Sequence, residues 1–146
     1  MNEPTITIAG NLTADPELRF TPTGKAVALL RIAATPRRYD NNSKQWTDGN
    51  TTFLDAEAWG APGENAAESL HRGDRVVIAG KLRTDVYTTE NGANAGTEQR
   101  RLRIVIDELA VSLRHTTAKP VRASRGNATD TTTETTPAGT DQDPPF

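Results

Sequence analysis

Four aromatic residues, Tyr39, Phe53, Trp59 and Tyr87, are interleaved in this chain with Arg31, Arg37, Arg38, Lys81, Arg83, Arg101 and Arg103. Rings alternating with cations suit one kind of chemistry above others, the stacking of unpaired bases with neutralisation of the phosphates between them. Each stacked base is worth about 1 to 3 kcal/mol, so four rings offer roughly 4 to 12 kcal/mol before ordering costs, with no need to read sequence. Taken singly, each residue fits a plainer role: a ring packs in a core or against a partner subunit, and a cation marks a solvated sheet face. The platform reading rests on Arg31, Phe53, Trp59, Lys81, Arg83, Tyr87, Arg101 and Arg103 sharing one face across four strands, with Arg37, Arg38 and Tyr39 in the loop between the second and third strands.

A second constellation closes the sequence. Asp141, Asp143, Pro144, Pro145 and Phe146 form an acidic tip with two stiff prolines and a ring beside the terminal carboxylate. The prolines reduce the ordering cost of docking, the ring offers apolar surface, and the carboxylate seeks a basic partner. Such a tip reads as a partner-docking peptide.

Catalytic and metal chemistry find little support. Asp55 with Glu57 lie outward on one strand with no His or apolar pocket to raise either pKa, and Asp107 with Glu108 point to opposite faces. No phosphate loop, nucleophile elbow or metal-helix motif is present, there is no Cys, and His71 and His115 are far apart. The chain reads as a non-enzyme without cofactor or metal.

The elements that must position the rings follow from alternation. Residues 5–12 carry Ile6, Ile8, Gly10 and Leu12 at every second position, and 26–35 place Ala28, Leu30, Ile32 and Ala34 on one face. Turn residues at Asp15-Pro16 and Thr21 to Gly24 separate these strands, and a polar excursion around Trp46 follows Pro36. Residues 51–59 put Leu54, Ala56 and Ala58 inward, which turns Phe53 and Trp59 outward with Asp55 and Glu57 between them. Ala61 to Arg72 is predicted as a short helix, begun near Pro62 and stopped by Gly73. Strand four is expected from Arg75 to Asp85, running on through Tyr87 to a tight turn at Asn91-Gly92, and strand five from Glu98 to Ile106. Five strands with one helix between the third and fourth predict an all-β chain, a five-stranded Greek-key barrel of the oligonucleotide-binding (OB) type.

Charge divides the chain in two. Residues 1–126 hold all 17 basic residues and 15 of the 19 acids, whereas residues 127–146 hold Asp130, Glu134, Asp141 and Asp143 with no cation. With one large hydrophobe, Phe146, residues 127–146 predict a disordered acidic tail. The expected division is a barrel over 1–115, an extension over 116–126 and the tail over 127–146. Nothing resembles a signal peptide or membrane span, so the chain reads as cytoplasmic.

Ile8-Ala9-Gly10-Asn11-Leu12, Asp15 to Phe20, Glu68-Ser69-Leu70 with Arg72-Gly73 and Val76, Gly80 to Thr84, and the tip Asp143 to Phe146 together resemble the bacterial single-stranded DNA-binding protein family over nearly the whole length. The resemblance implies a nucleoid-associated homotetramer of barrels wrapping single-stranded DNA, with the tip recruiting replication, recombination and repair proteins. It implies stacking roles for Phe53, Trp59 and Tyr87, with the remaining family aromatic falling at Tyr39 or at Arg38. Arg114 to Arg125 is similar to an extension that supports subunit contacts in one branch. Two departures stand out: Asp55 and Glu57 on the binding face, where relatives tend to be neutral or basic, and Gln142 interrupting the acids of the tip. They are compatible with weaker DNA binding, weaker recruitment and an accessory paralogue. A rival from another class remains open, an oligomeric OB-fold adaptor whose aromatics meet protein rather than nucleic acid.

Overall fold

Small and branched apolar side chains at every second position allow five strands to close on one another. The structure, a computed structural model, describes residues 2–93 and 95–123. Its elements are β1 (Thr5–Leu12), β2 (Glu17–Phe20), β3 (Ala26–Ala34), β4 (Arg37–Asp40), β5 (Gln45–Asp48), β6 (Thr52–Trp59), α1 (Ala61–Ser69), β7 (Arg75–Thr88) and β8 (Glu98–Val111). The ring runs β1–β7–β8–β6–β3 and returns to β1 through Asn11 opposite Ala33 and Leu12 opposite Ile32. All its contacts are antiparallel except β6 with β8. This is the five-stranded OB-type barrel, with α1 as its one helix.

Its core is the inward parity of each strand: Leu30 and Ile32 from β3, Ala56 and Ala58 from β6, Val76 and Ile78 from β7, and Ile104 from β8. A buried Leu or Ile of this kind contributes about 1.5 to 3 kcal/mol. Alanines suffice on β6 because α1 lies directly over that end: a Cβ on Gly63 would meet the Ala58 carbonyl oxygen at 2.3 Å, and Ala66 and Leu70 are buried beneath the helix.

Several boundaries differ from the sequence expectation, each for a local reason. Residues 17–20, expected as part of a turn region, form β2 along β3, so that β1 and β2 are two halves of one bent strand. The excursion around Trp46 is an ordered hairpin, β4 and β5, in a sheet of its own. The helix stops at Ser69 rather than Arg72, because Leu70 is already extended and Asp74 Oδ2 accepts the His71 backbone N–H at 2.8 Å. β8 runs to Val111 rather than Ile106, because an irregularity at Ala79/Gly80 skips a residue: Gly80 faces Ile106 and Ala79 faces Glu108. Asn91-Gly92 lies in a longer loop closed by Thr89 N–H on the Thr97 carbonyl at 3.1 Å, not in a two-residue turn. The tail 127–146, with the tip residues Asp141, Asp143, Pro144, Pro145 and Phe146, lies outside the described residues.

Candidate nucleic-acid interface

Because Ala56 and Ala58 turn inward, β6 must present its odd-numbered residues outward, and register extends that face across four strands. Arg31 lies opposite Asp55, Asp55 opposite Arg103, and Arg103 opposite Arg83, which makes one transverse row. A neighbouring row carries Leu29, Glu57, Val105 and Lys81. Phe53 and Trp59 stand at the two ends of β6, six residues and so about 20 Å apart along the strand. Phe53 is 71% exposed and Trp59 41%, so neither ring belongs to the barrel core. Tyr87 is exposed on the far part of β7, opposite Gln99.

The hairpin carries the remaining predicted residues. Tyr39 on β4 faces Trp46 on β5, the two rings meeting edge to face with centroids 5.5 Å apart. Arg37 pairs with Asp48 at 3.4 Å, while Arg38 and, on the barrel, Arg31 have no ion pair among the described residues. The hairpin turn is held by Asp40, whose carboxylate accepts the Asn42 backbone N–H at 2.9 Å and the Ser43 hydroxyl at 3.0 Å. Those bonds, the backbone one foremost, hold the Asp40 carboxyl below its usual pKa.

Most of the cations on the barrel face are already engaged. Arg101 pairs with Asp55, and Arg103 pairs with Glu57 through Nη1 and with Asp85 through Nη2. Asp85 Oδ2 is sealed from solvent and makes no regular hydrogen bond; its ion pair with Arg103 is what holds it. Glu57 is 7% exposed, and its other oxygen accepts the Trp59 indole N–H at 3.3 Å. It is thus a buried anchor between Arg103 and Trp59, not the free outward carboxylate expected from alternation. Lys81 and Arg83 both reach Glu3, at 3.1 and 3.3 Å. The hydrogen bond and charge of Lys81, with help from Arg83, hold the Glu3 carboxyl below its usual range.

The fold therefore gathers Arg31, Phe53, Trp59, Lys81, Arg83, Arg101 and Arg103 on one outer face, places Tyr87 on its far arm, and carries Arg37, Arg38 and Tyr39 on a separate hairpin. Sequence reasoning assigned no ring role to Trp46. The available signal was the run Asp40 to Lys44, a string of turn formers flanked by two strand-favouring aromatics, which is a hairpin pattern. Among the described residues, no group of three His, Asp or Glu side chains could hold a metal ion, and no helix is long and apolar enough to cross a membrane.

Known proteins resemble this chain over most of its length. The model of the Single-strand binding protein family matches residues 3–112. A single-stranded DNA-binding protein of Paenarthrobacter aurescens is 48% identical over 126 residues, covering 86% of this chain and 71% of the relative. One from Mycobacterium tuberculosis (strain ATCC 25618 / H37Rv) is 46% identical over 137 residues, covering 93% of this chain and 80% of its own. Both are named as DNA-binding proteins, not as enzymes. The crystal structure of a small single-stranded DNA-binding protein from Streptomyces coelicolor superposes with a TM-score of 0.65 at 31% identity, over 77% of this chain and 97% of that one.

Proposed function

Since this chain belongs to the single-strand binding protein family, we propose that it binds single-stranded DNA independently of sequence and protects it. The observation that carries this reading is the inversion on β6: two large rings face solvent while alanines fill the core behind them. Exposed rings of that size are costly to leave in water and are well suited to lie against base faces. Phe53 and Trp59 are the main stacking residues, with Tyr87 and Tyr39 extending the path. Arg31, Arg37 and Arg38, together with Lys81, Arg83, Arg101 and Arg103, meet the phosphates.

The same proposal assigns the tip Asp141, Asp143, Pro144, Pro145 and Phe146 to recruitment of replication, recombination and repair proteins. It also includes a homotetramer, supported through residues 116–126, acting in the cytoplasm on the nucleoid. Deleting Phe146 should abolish partner pull-down while leaving DNA affinity unchanged or slightly raised.

The adaptor reading is favoured by one observation, that Lys81, Arg83, Arg101 and Arg103 already hold carboxylates. Titration of a Trp46→Phe variant with oligo-dT separates the two. DNA binding predicts quenching of Trp59 fluorescence that recovers as salt rises; absence of both sinks it.

A further inference from the structure

Five charged side chains interlock at the centre of the exposed face. Asp55 lies between Arg31 and Arg103 in register and pairs with Arg101, while Asp85 lies opposite Arg101 in register and pairs with Arg103. Glu57, deepest of the three acids, holds Arg103 from the other side. With three carboxylates to two guanidiniums, the cluster is self-neutralised and slightly anionic. Resting on the DNA-binding reading above, we infer that Asp55 and Asp85 are built-in competitors for the DNA backbone, which hold Arg101 and Arg103 until phosphate displaces them.

The geometry divides the labour among the three acids. Arg103, whose side chain is 33% exposed, uses Nη1 for Glu57 and Nη2 for the sealed Oδ2 of Asp85, so phosphate can take the Nη2 contact once the Asp85 side chain swings aside, while Glu57 keeps the guanidinium in place. Glu57 also accepts the Trp59 N–H, so the same anchor holds the neighbouring ring. Asp55 engages Arg101, whose side chain is 56% exposed and so open to an incoming strand. Carboxylate and phosphate seek the same N–H donors with the same forked geometry, which makes one a direct substitute for the other.

The exchange has a thermodynamic signature. A free cation that neutralises a phosphate releases a counterion from the strand, and affinity then falls with salt, with a slope of about 0.7 per contact on single strands. A guanidinium that must first leave a carboxylate releases that counterion too, but the freed carboxylate gathers a cation in its place. Release and uptake cancel. The protein should therefore bind with a flatter salt dependence, and more weakly at low salt, than its number of surface cations implies.

The test is a salt series of oligo-dT titrations on the full chain and on Asp55→Asn, Asp85→Asn and the double variant, with Glu64→Gln on α1 as a control for the same charge change elsewhere. Each single substitution should bind more tightly at low salt and steepen the slope by about 0.7, so that its affinity falls ~3-fold more than that of the unaltered protein between 50 and 200 mM salt; the double variant should show about twice the change in slope. Glu64→Gln should leave the slope unchanged. Asn variants whose slopes match the unaltered protein, or which bind more weakly, overturn the inference while leaving DNA binding intact. An unaltered protein that shows no salt-sensitive binding removes the DNA-binding reading itself. If Asp55→Asn melts the barrel, Asp85→Asn carries the same expectation.

Discussion

The barrel face and the β4–β5 hairpin carry the same residue types in opposite states. On the barrel, β6 is locked by eight paired positions to β3 and by parallel pairing to β8, and among the described residues neither Phe53 nor Trp59 contacts another ring. Its rings are rigidly placed and open, while the arginines of this face other than Arg31 are occupied. On the hairpin only two short strands hold the geometry; Tyr39 and Trp46 spend part of their surface on each other, while Arg38 is unpaired among the described residues. Stacking and charge are thus largely divided: the barrel supplies fixed aromatic surface, while the candidate-site arginines without an ion pair among the described residues are Arg38 on the hairpin and Arg31 on β3 of the barrel.

That division can be broken most forcefully on β6. Replacing both Phe53 and Trp59 by Ala should cost about 2 to 6 kcal/mol of oligo-dT affinity at fixed salt, or roughly 30-fold to 10⁴-fold. The equivalent hairpin double, Tyr39→Ala with Trp46→Ala, should cost about 1 to 3 kcal/mol, no more than one freely stacking ring. Equal losses from the two pairs, measured by anisotropy of a labelled oligonucleotide, would erase the contrast. Arg38→Gln sharpens it from the charge side, with an expected decrease of about 0.7 in the salt slope.

A smaller effect separates the two regions by rigidity. Asp40→Ala removes both bonds that shape the hairpin turn. Amides of 37–48 should then exchange several-fold faster, while those of β3 and β6 stay protected to the same degree. Because the Asp40 carboxyl is held below its ordinary 3.8, it stabilises the hairpin above that value, and the contribution is lost as pH falls through the lowered pKa. Hydrogen exchange at successively lower pH should show the hairpin loosening before the barrel. Simultaneous opening of both would mean that the hairpin is not an independent unit.

How much of this was legible beforehand follows from which interactions are periodic. The alternation of Leu54, Ala56 and Ala58 against Phe53 and Trp59 reports burial directly, and the ring of strands and the inverted rings follow from it. The hairpin is short, and both its faces are exposed, so Tyr39 and Trp46 leave no alternating apolar trace. The extension of β8 was hidden because the skipped residue shifts the phase at Asp107-Glu108. Glu57 has outward parity, yet it is buried by Arg103 and Trp59, which reach it from β8 and from two residues along its own strand. Parity places a side chain on a face; it does not report which long neighbours fold over it.

The smallest predicted effect lies at the edge of the barrel face, where Glu3 bridges Lys81 and Arg83. Its carboxyl is held below the ordinary 4.5, chiefly by the Lys81 hydrogen bond and charge, so it stays ionised in the folded protein to lower pH than in the unfolded chain. The stabilisation it contributes is complete above 4.5 and disappears as pH falls through the lowered value. The pair is open to solvent and screened by salt, so the effect on melting should be slight and should vanish in concentrated salt. Glu3→Gln should therefore melt slightly below the unaltered protein at neutral pH and low salt, and level with it in acid. It should also release Lys81 and Arg83 to the DNA and raise affinity, by less than either Asp55→Asn or Asp85→Asn. A melting difference that persists below the lowered pKa would show that Glu3 acts through packing instead of charge. In that case the two cations at the edge of the face were available to phosphate all along, and only the central acids compete with the strand.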